Sequence, residues 1–593
     1  MCGFFLSICN EDNFYIRQNS QSLNHRGPDA NQDFEIFDDK INFCKGDSNY
    51  HGFFNRLSIR GSNENQMQPI KLSNNKILLY NGEIYNTEFL INKFKLITHN
   101  KFLDTKILGE GIDKFGLEFL NYLDGMFALL ILDINNKQIT IIRDYFGIKP
   151  LYFYQSEKNL IVCSELKPII KSINPSKISI NYEYFANSKN MMDEALGQTP
   201  FNNIKKLLPQ QIIEFSFKNR KIKKLNEKFL DSRVLNQYEN KIKNPIEIFK
   251  TQISDYKMND NKSGLLLSSG VDSNVLLKLL NSQNNFTFKS GEVNIDEDII
   301  LKKNKKIDNK AVELPAEKLL SFFEKFCSKS YEIEDNIGVA AQMGLYEKVS
   351  QNKEIKVVFS GQGADEMFFG YDVGVNLFFQ DLINNYNYKD FIINEKLLNN
   401  YDDLSWKIKL DKLRDQYLPK FNLKILINNY SQIFNGSFKK NKIKDLNLLL
   451  SYFENRLKKR LPKLLRWEDL SSMHYSIETR LPYLNLYYYN IRKELNLKYF
   501  FSPLGNKFFL RKFLNSDNRE NNNFDQTKKL GYTINSNKVF SLANKDKDLT
   551  DISKEINLDI TSAYNLSLIY WTKNFNKFNE IKYLLKENKQ VFY

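Results

Sequence analysis

The second residue of the chain is a cysteine, and that position carries chemistry of its own. Cysteine is small enough for Met1 to be clipped, which leaves a thiol and a free α-amine on one residue. Such an amine has a pKa of about 7.7–8.0, so it is partly neutral at cellular pH and can accept a proton. A thiolate needs far less activation than a hydroxyl. Taken alone, Cys2 reads as an ordinary buried cysteine near a terminus. Five strings then follow in order: His25-Arg26-Gly27-Pro28-Asp29, Arg56-Leu57-Ser58-Ile59, Tyr80-Asn81-Gly82-Glu83-Ile84-Tyr85-Asn86, Asp124-Gly125-Met126-Phe127-Ala128, and Arg143 through Tyr152. Singly each has a plain reading: Asn81-Gly82 and Gly27-Pro28-Asp29 as turns, Asp144 as a surface charge.

A second chemical string is Ser268-Ser269-Gly270-Val271-Asp272-Ser273. Small residues let backbone N–H groups approach phosphate oxygens, and a following helix N-terminus favours negative charge. Asp272 can hold a Mg²⁺ that bridges phosphates. The competing reading is a strand-to-helix turn with a serine cap. There is no Gly-x-x-x-x-Gly-Lys-Ser/Thr string, so a Walker-type ATPase is unsupported. The four histidines (His25, His51, His99, His474) have no metal-ligand spacing.

These residues need elements to position them. Lys76–Tyr80, Phe127–Asp133 and Gln138–Arg143 read as strands and Thr105–Gly116 as a helix, a layered α+β pattern over residues 1–180. Residues 181–245 read as a bridge with one strand-like run, Gln211–Phe217, and a boundary near 225–245. Gly264–Leu267, a small-residue break and the helical spacing of Val271–Leu280 then open a doubly wound sheet, and Ile355–Ser360 begins a second unit. Beyond about residue 375 the pattern is mostly helix-like.

Composition narrows the class. The chain has 593 residues, 42% hydrophobic and 26% charged, and a mean hydropathy of -0.48. This is a soluble globular composition of several domains. No run of 18 apolar residues is present. The N-terminus lacks a basic n-region, so no signal peptide is expected. Five scattered cysteines without a Cys-x-x-Cys pair support neither a disulfide framework nor a zinc ribbon and suit a reducing cytoplasm. The net charge of +15 raises a nucleic-acid partner. Its lysines are spread over many short clusters, however, in a chain rich in Asn, Ile, Phe and Tyr, as compositional drift produces.

Taken together from Cys2 onward, the N-terminal strings closely resemble the class II glutamine amidotransferase domain, an N-terminal-nucleophile hydrolase. The resemblance covers about residues 2–180 and implies an αββα sandwich that hydrolyses glutamine to glutamate and ammonia. It implies that Cys2 attacks the amide and that the Asn81 side chain and the Gly82 N–H stabilise the oxyanion. Arg56 would hold the substrate carboxylate, and Glu83 and Asp104 the ammonium. The lead-in to Asp104, Lys101-Phe102-Leu103, departs from the family's small residues.

Ser268–Ser273 resembles the PP-loop of ATP pyrophosphatases, with Ser269 where the first glycine usually stands. Such a site can need positive φ. Phe288-Lys289-Ser290-Gly291, Asp296-Glu297, Ser360–Tyr371, Asp469–Asn485, Lys507–Arg511 and Lys529-Leu530-Gly531-Tyr532 extend the likeness. Over most of residues 2–540 the chain resembles the glutamine-hydrolysing asparagine synthetases. The last fifty residues or so carry no matching motif.

That resemblance implies a glutaminase domain over 2–225. Over 240–593 it implies a doubly wound α/β PP-loop domain with a helical C-terminal part. ATP contacts would come from Leu266, Ser268, Ser269, Gly270, Asp272, Ser273, Ser290, Ser360, Gly361 and Lys507. Mg²⁺, bound with ATP, would sit on Asp272 and Asp365. Gln362 falls at the acceptor site. The reaction would join aspartate, as β-aspartyl-AMP, with channelled ammonia. Met126 is a candidate channel wall and equally a core methionine. The partners are small molecules (glutamine, aspartate, ATP), with no nucleic acid or membrane and at most a second copy in a homodimer.

Three departures stand out: Gln362 where many relatives have glutamate, Asn485 for aspartate, and Leu470 for arginine. An amide accepts hydrogen bonds but is no base near pH 7, so any base needed for ammonia attack must come from elsewhere. The departures keep a related ATP-dependent amidotransferase open, acting on another carboxylate such as a sugar acid in surface-glycan assembly. Ser269 and Gln362 also admit a glutaminase with a degenerate second site.

Overall fold

The computed structural model describes residues 2–10, 20–37, 40–43, 50–61, 66–231, 245–289, 308–371, 447–491, 500–502, 505–514 and 534–587. Among the described residues, thirteen strands build the N-terminal half: β1 (Gly3–Cys9), β2 (Ala30–Phe37), β3 (Lys40–Asn42), β4 (Tyr50–Arg56), β5 (Ile70–Leu72), β6 (Lys76–Ile84), β7 (Gly125–Asp133), β8 (Gln138–Arg143), β9 (Tyr152–Gln155), β10 (Asn159–Cys163), β11 (Ile204–Lys206), β12 (Gln211–Ser216) and β13 (Lys223–Phe229). They form two sheets, ordered β11-β9-β10-β1-β4-β2-β3 and β13-β12-β8-β7-β6-β5.

Side chains alternate across a strand, and here both faces of the central strands are apolar. Phe4, Leu6 and Ile8 of β1 face Ile77, Leu79, Leu130 and Ile141 of the second sheet in the inner core. Phe5 and Cys9 point the other way, into a core shared with Leu166, Ile169, Tyr184 and Phe185. On the far side, Leu78 and Leu129 meet Leu90, Ile107 and Leu108 of the helices Thr87–Phe94 and Asp104–Phe115. The result is helix, sheet, sheet, helix.

The stretch read as a bridge belongs to this sandwich. β11 pairs with β9, β12 with β8, and β13 with β12. The last strand is an edge whose residues are all exposed. Its polar Lys-Lys-Leu-Asn-Glu-Lys-Phe sequence protects an open edge and hides the strand from any hydrophobic pattern.

The C-terminal half centres on β14 (Lys262–Leu266), β15 (Asn285–Lys289), β16 (Asn309–Glu313), β17 (Ile355–Phe359) and β18 (Glu478–Arg480). They are parallel, in the order β16-β15-β14-β17-β18. Strand order reverses between β14 and β17, so the loops leaving these two strands open a crevice at their carboxyl ends. Helix Val271–Leu280 starts directly after the first loop.

The motif-free C-terminal segment forms four helices within Ser536–Glu587. Trp571 among them packs 5.3 Å from Phe185 and 5.7 Å from Phe201 of the sandwich. Among the described residues no helix is long and apolar enough to cross a membrane.

A buried ionic cluster joins the halves. Lys206 of β11 lies 2.9 Å from Glu194 and 2.6 Å from Glu332. Arg466, on the long helix Asn447–Met473, pairs with Glu334 at 2.8 Å and Glu194 at 3.2 Å, and Lys463 pairs with Asp335. Asp193, Glu194 and Glu332 cluster as a metal site would, but the Lys206 ammonium fills the space between them. Burial pushes the Asp193 and Glu332 carboxyls up, which suits a cluster with more acids than bases.

Candidate active site

Cys2 stands at the entry to β1, half-buried, with its thiol free. Its backbone N–H donates to Asn81 Oδ1 at 3.0 Å. The Asn81 side chain is fully buried on β6, and its Nδ2 donor has no hydrogen-bond partner. One amide group therefore holds the Cys2 nitrogen with its oxygen and leaves a buried donor available for an anion. Burial pushes the Cys2 thiol up, against the Leu57 N–H and the Arg56 guanidinium.

Gly82 follows on β6. A Cβ there would lie 2.0 Å from the Met126 carbonyl oxygen, so the close approach of β7 demands glycine. The Met126 side chain itself sits in the apolar core.

Cys2, Arg56, Gly82, Glu83 and Asp104 line one cavity. All the glutamine-side residues expected from sequence are thus brought to it, with Asn81 beside Cys2. Asp104 opens the helix Asp104–Phe115 and accepts from Tyr80 Oη at 2.9 Å and Ile84 N–H at 3.3 Å. Glu83 lies 3.2 Å from Arg60 and 3.4 Å from Arg480. Burial, with Glu478 and Asp104 nearby, pushes the Glu83 carboxyl up, and the two guanidiniums oppose this.

Sequence reasoning missed Arg60, Arg480 and Arg26. Arg26 is fully buried. It donates to the Cys2 carbonyl at 3.1 Å, to Glu165 at 3.0 Å and to Asp469 at 2.9 Å. Lys149 approaches the same Asp469 at 3.4 Å. The available signal was positional: Arg26, Lys149, Asp469 and Arg480 all lie inside the quoted motifs, without an assigned role.

The second site occupies the crevice of the parallel sheet. Leu266 ends β14, and Ser268, Ser269 and Gly270 form the loop that follows. Ser273 Oγ accepts from Ser268 N–H at 3.1 Å, and Asn274 donates to the Ser268 and Gly270 carbonyls at 2.9 and 2.7 Å, so the helix start pins the loop. Ser269 is not among the positive-φ residues, so its side chain brings no left-handed strain.

The opposite loop carries Ser360, Gly361 and Gln362, and Asp365 follows on the short helix Ala364–Met367. A Cβ on Gly361 would meet Asp272 Cβ at 3.2 Å, so the two loops touch. Lys507 Nζ lies 2.7 Å from both Asp272 carboxylate oxygens and also pairs with Asp365. Two carboxylates, each from the first turn of the helix that follows its loop, thus converge on one positive charge. An all-oxygen, doubly anionic donor set fits a hard cation such as Mg²⁺. Ser290, Asp296, Glu297 and Lys529-Leu530-Gly531-Tyr532 lie outside the described residues.

Two departures find local partners. Asn485 donates to Asp124 at 2.7 Å, a contact where an aspartate would set two carboxylates together. Leu470 packs, half-buried, on an apolar core.

Comparison with known proteins adds to this geometry. Residues 1–226 match the glutamine amidotransferase domain family, and residues 247–537 match the asparagine synthase family. The chain is 27% identical over 410 residues to the glutamine-hydrolysing asparagine synthetase of Rattus norvegicus, across 63% of this chain and 67% of that protein. The Homo sapiens protein of the same name is 27% identical over 409 residues, with the same coverage. Among solved structures, the glutamine phosphoribosylpyrophosphate amidotransferase from B. subtilis aligns at a TM-score of 0.27 and 13% identity, over 52% of this chain and 65% of that one.

Proposed function

We propose, from the premise that this chain belongs to the glutamine-hydrolysing asparagine synthetase family, that it makes asparagine from aspartate, glutamine and ATP. With Met1 removed, the Cys2 nitrogen becomes the α-amine, held by Asn81 Oδ1 and placed to take the thiol proton. The thiolate attacks the glutamine amide carbon. Asn81 Nδ2 and the Gly82 N–H receive the developing oxyanion. Arg56 binds the substrate carboxylate, and Glu83 and Asp104 accept from its ammonium. Collapse releases ammonia and leaves a glutamyl thioester for water to hydrolyse.

At the second site the Ser268–Ser273 loop cradles the ATP phosphates with backbone N–H groups. Asp272 and Asp365 would hold Mg²⁺, whose charge offsets that of the phosphates. Lys507 then shifts from those carboxylates toward the departing pyrophosphate. The aspartate side-chain carboxylate attacks the α-phosphate, because a free carboxylate is a poor acyl donor. Ammonia displaces AMP.

The observation that carries this reading is the Asn81 side chain, anchored to Cys2 by its oxygen with its buried nitrogen unpartnered. The test is pyrophosphate release from ATP with glutamine as donor, with and without aspartate. Strict dependence on aspartate, with AMP and asparagine formed together, is expected. No response to aspartate alongside intact glutamine hydrolysis would move the reading to another carboxylate acceptor.

A further inference from the structure

Ammonia attack on an acyl adenylate ends with one proton too many on nitrogen. The residue nearest to hand in sequence, Gln362, is an amide and cannot take it. A carboxylate stands on the other side of Ser360. Glu468, on the helix Asn447–Met473, is buried, and its Oε1 accepts from Tyr346 Oη at 3.1 Å. Its Oε2 is buried without a hydrogen-bond partner. The Ser360 hydroxyl also bonds this carboxylate, and the Gln362 N–H donates to Ser360 Oγ at 3.3 Å. Glu468 is thus one residue removed from the acceptor-site loop.

Its place along the route between the sites is equally specific. The next residue, Asp469, takes Arg26 and Lys149 from the glutaminase half, and Arg26 holds the Cys2 carbonyl. Buried polar contacts thus tie the Cys2 backbone to the helix position next to Glu468, and Lys149 bears on both acids.

We propose that Glu468 is the proton acceptor for amide formation, in place of the residue that Gln362 lacks. This rests on the function proposed above. Ammonia forms a C–N bond at the acyl carbon. The C–O bond to AMP breaks, and its electron pair leaves with the phosphate. One proton passes from the nitrogen to Glu468, and the neutral amide remains.

The surroundings suit the task. Tyr346 comes from helix Gly338–Ser350, Ser360 from the end of β17, and Thr479 of β18 bonds Tyr346 Oη at 2.7 Å. Lys149 is the cation that faces the carboxylate. Burial pushes Glu468 up to about 7, opposed by the Ser360 and Tyr346 hydrogen bonds and by Lys149. A base with a pKa near the working pH is the most effective one.

The test uses the full-length enzyme with ATP, aspartate and ammonium chloride at constant free ammonia. Glu468→Gln should keep glutamine hydrolysis and pyrophosphate release while amide formation falls by about 10²-fold or more. Adding Gln362→Glu to Glu468→Gln should restore at least about tenfold, by returning a carboxylate to the loop that Ser360 opens. Wild-type amide formation should fall as pH drops through about 7. Amide formation in Glu468→Gln at the wild-type rate overturns the proposal, as does a parallel loss of pyrophosphate release. Should the variant not fold, a flat wild-type pH profile for the ammonia step overturns it alone. Absence of wild-type pyrophosphate release with aspartate would instead count against the proposed acceptor, which is read separately.

Discussion

The Arg480 guanidinium stands 3.4 Å from the Glu83 carboxylate, although the two residues belong to different halves of the chain. Arg480 closes β18, and its carbonyl accepts from the Ser360 N–H at 3.1 Å. Its side chain also grips Glu478 at 2.6 Å and the Tyr256 and Met258 carbonyls. One residue therefore holds the Ser360 loop with its backbone and Glu83, in the wall of the Cys2 cavity, with its side chain. Arg480→Gln strands buried Glu478 and weakens the hold on Glu83. We expect about 3–5 kcal/mol of destabilisation in chemical denaturation. The KM for glutamine should rise more than the KM for ATP; equal changes in both would show a purely structural role.

Cys2→Ala should abolish glutamine use and spare activity with added ammonia. Asn81→Ala should lower glutamine-dependent turnover about 10²–10³-fold, with the ammonia-supported rate again unchanged. Parallel loss with both nitrogen sources, in either variant, would contradict the division of labour between the two sites.

Asp272→Asn should stop pyrophosphate release, because the Lys507 ammonium and any metal lose one of two converging carboxylates. Glutamine hydrolysis should persist. Unchanged ATP consumption in this variant would remove Asp272 from the phosphate site.

Acid should loosen the junction around Arg26. Burial raises the Glu165 carboxyl, but His25 and Arg26 outweigh it and hold the group well below the usual range. A carboxylate depressed by folding adds stability that is present above its unfolded pKa, about 4.3, and is lost as pH falls below it. Denaturation at pH 7, 5, 4 and 3 should show this loss in the wild type, most of it below pH 4. In Glu165→Gln the slope below pH 5 should be shallower, and an identical slope would place the acid-sensitive group elsewhere.

Much of this organisation is legible in the sequence because its signals are local. Gln138–Arg143 and Val271–Leu280 form where their periodicity places them. Cys2, Arg56, Gly82, Glu83 and Asp104 meet in one cavity because the strand–turn order around them is compact. What escapes is non-local or polar. β13 shows no apolar alternation to read. Arg26 and Asp469 are 443 positions apart and have meaning only as a buried pair. Asn485 reads as a departure until Asp124 is seen beside it. Glu468 looks like any charged helical residue until its burial against Tyr346 is known.

The Lys206 cluster has a consequence for how such a chain can be divided. Its acids and bases come from both halves: Lys206, Asp193 and Glu194 from one, Glu332, Glu334 and Arg466 from the other. Cut between them and each fragment is left with interior charge that its own residues cannot neutralise. The two catalytic units are consequently poor candidates for life as separate polypeptides or for exchange with foreign modules. A cut chain would keep its partners only by reassembling across this same ionic seam.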